Sequence, residues 1–300
     1  MAFPLYSSIV KAAIVEVGFD HRDELLETLR QAPPPQAISA QDPSSPSTWR
    51  LHSLRQAIPQ LHDYTLSGVW RWVRRAGVKL RTAQVQQYSP DPDYGVKEAY
   101  LLECLRHSAR HRDTIALVFL DEMGYYRWPT PSAVWAPVAP AEAPQAERQG
   151  VKQQQWRIIG ALNALSGQVD YLDAYWVGRA RVIDFYRQLA QCYHWASRVY
   201  VVQDNGNIHR HDDVLEVLAT MPQIEPVWLP TYAPWLNPIE KLWRWLKQSV
   251  IQMHRLAADW PELRRRVNTF LDQFAEGSSE LLQYVGLAGK GKLAQAIRNP

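Results

Sequence analysis

Two acidic residues follow directly on runs that read as buried β-strands. Asp121 comes after 114–120 (TIALVFL), and Asp204 comes after 198–203 (RVYVVQ). In mixed and parallel sheets, the carboxyl ends of strands are where ligands and chemistry gather. If the two strands are neighbours, the carboxylates face one another across a short gap. Like charges that close need a cation between them, or a proton on one of them. Ligation by oxygen alone favours a hard metal such as Mg2+ or Mn2+. The plainer reading is that each Asp opens a turn.

A third carboxylate has a different setting. In Leu229-Pro230-Thr231-Tyr232-Ala233-Pro234-Trp235-Leu236-Asn237-Pro238-Ile239-Glu240, a Pro-studded loop runs into a helix expected over 237–253. Asn237 suits the N-cap, Pro238 the first helical position, and Glu240 falls at the third. Glu240 can then be the closing member of a capping box. It can equally be a rigid carboxylate, kept ionised by the helix dipole and aimed at a metal. Ile239, Leu242, Trp243, Leu246 and Val250 form an apolar face that should pack on the sheet. Lys241, Arg244 and Lys247 lie elsewhere, where they could follow a phosphate backbone.

The elements around these acids alternate strand with helix, which predicts a mixed α/β domain over 98–275. A helix is expected over 96–111. Strands 156–164 and 168–176 meet at Ser166-Gly167, a hairpin signal. Helices are expected at 179–193, 209–220 and 260–274, and an extended segment at 224–229. Residues 276–300 are poorly patterned and read as a tail.

The preceding residues differ in composition. Residues 1–31 read as two short helices broken near Gly18, with Asp20 capping the second. Residues 32–47 hold five prolines among Ser and Gln and read as a linker, as do 83–97. Residues 48–82 carry seven Lys and Arg against one Asp, a net charge of +6, so the chain's overall +3 conceals a basic module. Leu51, Leu54 and Ile58 have helical spacing, and a turn follows through His62, Asp63 and Tyr64. Thr65 or Ser67 then caps a helix with Leu66, Val69, Val73 and Ala76 on one face. Ser67, Arg71, Trp72, Arg74 and Arg75 occupy the other, and Trp70 is assigned to the core. This is the pattern of a helix-turn-helix with Arg71, Arg74, Arg75, Lys79 and Arg81 available to DNA. A solvated basic face on an ordinary helical pair is the alternative.

Composition narrows the classes further. The 300 residues are 46% hydrophobic, enough for a sizeable core. Two cysteines, Cys104 and Cys192, make neither a disulfide framework nor a zinc site, and a cytoplasmic setting is expected. No apolar run reaches membrane-span length, and residues 1–19 lack the pattern of a signal peptide. The 13 tryptophans are unusual, and Trp128, Trp135 and Trp235 have no evident role.

Four pieces in order carry a resemblance. They are Phe119-Leu120-Asp121-Glu122; Ile159-Gly160-Ala161-Leu162 with Ser166-Gly167; Gln203-Asp204-Asn205 with His209; and Leu229-Pro230 through Asn237-Pro238-Ile239-Glu240 into Leu242-Trp243. With 35 residues between Asp204 and Glu240, the series resembles transposases of the IS630 group in the IS630/Tc1/mariner superfamily of DDE transposases. The resemblance spans roughly residues 48–253. It implies an RNase H-like mixed sheet flanked by helices, preceded by a small all-α helix-turn-helix module. It also implies that Asp121, Asp204 and Glu240 bind two Mg2+ (or Mn2+) ions, about 3.5–4 Å apart in such sites. The implied reaction is hydrolysis of phosphodiesters at transposon ends, then strand transfer into target DNA, by analogy at TA. The partners implied are double-stranded DNA, as inverted repeats and target, and a second copy of the chain in the DNA complex. A bacterial, nucleoid-associated location is expected. Two departures stand out. The family's longer N-terminal region, with a first helix-turn-helix, is matched here only by the acidic residues 1–31, and Thr231 and Trp235 are unusual in their loop. The first departure opens an alternative: a transposase-derived DNA-binding protein, or a relic that no longer transposes.

Other polar residues near the acids have supporting readings. Glu122 should point to the opposite side of the strand from Asp121 and support the site from outside the metal. Asn205 and His209 follow Asp204 closely, and His209 either positions DNA or a water, or simply bonds a neighbour at a helix start. Glu103, His107 and His111 share a helix face but suggest no open metal site. If the 48–82 module meets DNA, Arg71→Ala with Arg74→Ala should weaken binding. The slope of log K against log salt should then flatten by roughly 0.9 for each phosphate no longer neutralised. A salt titration checks this, and an unchanged slope would place the helix away from DNA.

Overall fold

The computed structural model describes residues 22–30, 49–79, 88–134, 144–148 and 150–300. They fall into two units, Met1–Val85 and Gln86–Pro300. Gly18, Asp20, Arg81, Trp135 and the Pro-rich stretch lie outside the described residues.

The first unit is built from α1 (Arg22–Arg30), α2 (Leu51–Ala57), a 3-10 turn (Pro59–Leu61) and α3 (Leu66–Arg75). Thr65 caps α3 by accepting a hydrogen bond from the Gly68 N–H at 3.1 Å. Leu25 of α1 is fully buried with Leu54, Ile58, Leu61, Val69, Trp72, Val73 and Ala76. The described part of the acidic first segment, α1, is therefore not separate from the basic module but supplies one wall of its core. The α3 face is also corrected. Val69, Trp72, Val73 and Ala76 form the buried stripe, while Leu66 is 44% and Trp70 53% exposed. Trp72 lies three residues after Val69, so the helical period puts it inside and Trp70 on the opposite face. Arg71, Arg74, Arg75 and Lys79 are exposed. The Arg74 guanidinium lies 5.7 Å from the centre of the Trp70 ring.

The second unit is a five-stranded sheet in the order β3-β2-β1-β4-β5. Its strands are β1 (Ile115–Tyr126), β2 (Gln155–Asn163), β3 (Val169–Ala174), β4 (Arg198–Gln203) and β5 (Ile224–Trp228). β1, β2 and β3 pair antiparallel, whereas β4 runs parallel to both β1 and β5. Gly167, at φ 73°, closes the β2–β3 turn, and a Cβ there would collide with the Ser278 carbonyl. The central strand buries both faces. Ile115, Leu117, Phe119, Met123 and Tyr125 face one core, and Ala116, Val118 and Leu120 face the other.

Helices cover both faces. α5 (Arg179–Cys192) and α6 (Asp212–Ala219) pack on the Val118 side. α4 (Tyr94–Arg110), α7 (Ile239–Leu246), α8 (Trp260–Asp272), α9 (Ser279–Val285) and α10 (Lys292–Arg298) cover the Phe119 side. Residues 276–300 are thus not a tail. Leu281, Val285, Leu287 and Ala296 are buried in the main core, α9 packs on α7, and α10 packs on α4. Trp245 of α7 sits among Phe270, Phe274 and Tyr284, with its ring centre 4.6 Å from that of Tyr284. α7 itself is shorter than expected. It ends at Leu246 and continues as a π-helical turn, Lys247–Ile251.

Within the expected linker, the described residues 88–93 are anchored rather than free. Asp91 accepts from the Thr231 N–H at 2.8 Å and pairs with Lys97 at 2.7 Å. Among the described residues, no helix is long and apolar enough to cross a membrane. The exchange of Trp70 for Trp72 has a measurable consequence. Trp72→Ala should cost about 3–5 kcal/mol in the unfolding of the first unit, and Trp70→Ala only about 0.5–1 kcal/mol. Denaturant titration of both variants would show equal losses if the stripe were wrong.

Candidate active site

β1 and β4 run side by side as far as the rung that pairs Phe119 with Val202. Asp121 and Asp204 each lie two residues beyond that rung. β4 stops at Gln203, so Asp204 stands in the following loop, with its side chain 63% exposed. β1 does not stop. It continues to Tyr126 because β2 extends the antiparallel ladder past Asp121, which pairs with Gly160. Asp121 is therefore a mid-strand residue rather than the strand end expected, and much less exposed than Asp204. β1 also leads away to β2 and β3 before the chain returns as β4. The two acids thus flank a point where the strand order reverses.

The separation of the two strands leaves the Leu120 carbonyl without a β4 partner. The Asn237 side-chain amide donates to it at 3.0 Å. This changes the expected helix start. Asn237 is 5% exposed and spends its amide on β1, α7 has Pro238 as its N-cap residue, and no side chain caps it. Glu240 is consequently not tied into a capping box. It is exposed on the first turn of α7 and lines the same cavity as Asp121 and Asp204. The cavity measures about 520 Å³. Tyr232 stands at this cavity, 78% exposed and at a left-handed φ of 53°. A non-glycine residue in that region costs of the order of 1 kcal/mol or more. Nothing in the sequence marks Tyr232, because a positive φ leaves no signature in a tyrosine.

The loops around the acids are cross-tied. Asp204 Oδ1 accepts from the Gly206 N–H at 2.8 Å. The Asn205 amide donates to the Leu229 carbonyl at 2.8 Å, joining the loop after β4 to the loop after β5. Glu122 projects to the face opposite Asp121. There its carboxylate lies 3.1 Å from Nε2 of His209, which is 1% exposed and 3.9 Å from Asp204 Oδ1. His209 precedes α6, which begins at Asp212, so it is a loop residue reaching back to β1 rather than a helix-start residue. Burial works against its charge. The Glu122 contact and the negative field of Glu122, Asp204 and Asp121 outweigh that, and its pKa is raised.

Asp121 carries the strongest electrostatic signal. Burial, followed by the charges of Glu240 and Glu122, pushes its carboxyl up to about 8. Trp243 acts in the opposite direction, its indole N–H donating to Asp121 Oδ2 at 2.9 Å. Helical spacing alone accounts for Trp243 only as a packing residue. Among the described residues, no three His, Cys, Asp or Glu side chains converge closely enough to enclose an ion. The chemistry of the set nevertheless fits a hard divalent cation. Its donors are all carboxylate oxygens, and the excess negative charge around Asp121 is what a cation would neutralise. Glu103, by contrast, is occupied by Arg106 and Arg110, and His107 by the Tyr200 hydroxyl.

The basic residues divide. Lys241 donates to the Val285 carbonyl at 2.7 Å and holds α9 against α7. Arg244 is exposed and lines an adjoining cavity of about 710 Å³, shared with Trp235 and Lys292. Trp235 donates to the Tyr94 hydroxyl at 3.1 Å, and Trp128 lies under Arg148. Arg71, Arg74, Arg75 and Lys79 belong to the first unit.

Residues 116–264, which include all three acids, match the profile of the DDE superfamily endonucleases. That segment is a DDE superfamily domain. The chain is 25% identical over 229 residues to the insertion element IS630 uncharacterized 39 kDa protein of Shigella sonnei. The match covers 75% of the present chain and 64% of that relative, so the chain spans less than two thirds of its length. Its fold is shared with the Mos1 transposase paired-end complex with left transposon end. That likeness has a TM-score of 0.58 at 14% identity and covers 87% of this chain and 82% of that one. The Mos1 mariner paired end complex with Mn gives 0.56 at 15% identity, covering 87% and 80%. The expected RNase H-like mixed sheet is thereby the fold of this DDE domain.

The raised Asp121 sets a pH dependence. Its folded pKa, about 8, exceeds the reference value of 3.8, so the folded state binds more protons between those values. Its contribution to stability is full below the lower value and is lost as pH rises through the upper one. Without divalent cations, Asp121→Asn should therefore be more stable than the parent at pH 8, by a margin that shrinks towards pH 4. Thermal melts in chelator at both pH values test this, and a margin independent of pH would refute it.

Proposed function

We propose that this chain is a DNA transposase that cuts phosphodiesters at transposon ends and joins the freed ends to target DNA. The observation that carries the reading is the meeting of Asp121, Asp204 and Glu240 on one cavity at the fork between β1 and β4, within the segment matched to DDE endonucleases. The three carboxylates would hold Mg2+ or Mn2+. Such ions, when bound, supply Lewis acidity at the phosphate and make water nucleophilic near neutral pH.

Each residue has a part that follows from its setting. Asp121 offers a carboxylate fixed on a rigid strand, and Asp204 an exposed one at the cavity edge. Glu240 brings the third from α7, and the absence of a capping role leaves it available. Asn205 and the Glu122–His209 pair hold the Asp204 loop in place. In the first step, water attacks a phosphodiester and the P–O bond to the leaving strand breaks, freeing a 3′-hydroxyl. In the second, that hydroxyl attacks a phosphodiester of the target, displacing another 3′-oxygen. The number of phosphodiester bonds is conserved in the second step, so no outside energy source or covalent protein intermediate is required.

The DNA would be held by exposed cations. In the first unit these are Arg71, Arg74, Arg75 and Lys79, with Arg81 outside the described residues, and in the second Arg244. Lys241 serves the protein rather than the DNA in this reading. Tyr232 offers an exposed ring beside the site on which a base could stack. Joining two transposon ends calls for two catalytic units, so the working form would be a homodimer on DNA, acting at the nucleoid in the cytoplasm. Insertion at TA follows the family pattern. The intact acid set weighs against a DNA-binding relic.

Asp204→Asn tests this reading. Nicking of inverted-repeat DNA in Mg2+ or Mn2+ should fall by more than the roughly 10–100-fold that losing an outer-sphere partner costs. Equal nicking by both proteins would sink the assignment.

A further inference from the structure

Asp121 and Gly160 are opposite one another on neighbouring antiparallel strands, so both positions face the same side of the sheet. That side carries α7. Gly160 has no side chain to occupy the space beside the carboxylate, and the Trp243 ring fills it. A Cβ built on Gly160 would lie 2.6 Å from Cη2 and 3.0 Å from Cζ2 of that ring. The indole is 2% exposed, and its N–H points at Asp121 Oδ2, 2.9 Å away. Trp243 lies on the same helix as Glu240, three residues later, close to one helical turn. A single rigid element thus supplies one acid and grips another.

We propose that Trp243 is a positioning residue for the cation site, that its N–H fixes the rotation of the Asp121 carboxylate, and that Gly160 provides the slot that permits it. This rests on the reading of Asp121 as a cation ligand. A buried indole N–H needs an acceptor, and a purely structural contact would do no more than satisfy it. Two features go further. The acceptor is one oxygen of a carboxylate that lines the cavity, and the cross-strand position that would otherwise crowd the ring is a glycine. An N–H held by a packed ring loses little freedom when it bonds, so the carboxylate is already oriented when a cation arrives. Orientation by an outer-sphere donor of this kind typically affects metal affinity 10–100-fold.

The test measures Mn2+ binding to the full chain by electron paramagnetic resonance, with no DNA present. Trp243→Phe keeps a ring in the slot and removes the N–H, and Gly160→Ala keeps the N–H and crowds the ring. Asp121→Asn is the control, and melting temperature is recorded for each variant. Both Trp243→Phe and Gly160→Ala should weaken Mn2+ binding, by roughly 10–100-fold for Trp243→Phe. If Trp243→Phe does not fold, Gly160→Ala still decides the matter. Lowered melting temperatures with unchanged Mn2+ affinity would reduce Trp243 to packing and overturn the proposal. If Asp121→Asn also binds Mn2+ like the parent, it is the reading of Asp121 itself that fails.

Discussion

Two parallel strands that part company impose the main constraint on this molecule. Beyond the rung at Phe119 and Val202 the β1–β4 ladder ends, and each strand presents an aspartate two residues later. The opening must be stabilised on both sides. On one side β2 carries β1 onward to Tyr126; on the other the Asn237 amide takes up the Leu120 carbonyl that β4 no longer reaches. The position of α7 follows from that second contact, and with it the position of Glu240. Charge then works against the assembly. Burial and two neighbouring carboxylates drive Asp121 towards its protonated form. Such a cluster is costly alone, and its excess negative charge is what a cation would neutralise.

Around this opening the structure spends its packing on rigidity. Trp245 is enclosed by three aromatic rings, Trp243 lies against Gly160, and Lys241 is tied to the end of α9. Asp91 anchors Thr231, in the loop that leads into α7. The unusual tryptophan content is thus partly a means of fixing one short helix. On the opposite face, the pair of Glu122 and the fully buried His209 braces the loop that carries Asp204.

Much of this was legible in the sequence because the signals were local. The apolar runs before Asp121 and Asp204 marked the central strands, Ser166-Gly167 marked a hairpin, and the Pro-studded loop marked the start of α7. What could not be read depended on partners distant in the chain. The extension of β1 past Asp121 depends on β2, which follows only after a long connection. The capping box at Asn237 was plausible locally but lost to an acceptor on β1, 117 residues earlier. Trp70 and Trp72 were exchanged because an apolar stripe drawn through Leu66 excluded the ring one turn beyond Val69. Residues 276–300 looked unpatterned because their short helices bury only a few small or branched side chains each.

The placement of those last helices bears on synthesis. Leu281, Val285, Leu287 and Ala296 complete the core that α7 shares, and the carbonyl of Val285 receives Lys241. A chain emerging from the ribosome has all three acids in hand once Glu240 has appeared, yet the support beneath α7 is still missing. The order of translation therefore separates possession of the acidic residues from their assembly. A growing or prematurely ended polypeptide carries the three acids without the scaffold that brings them to one cavity.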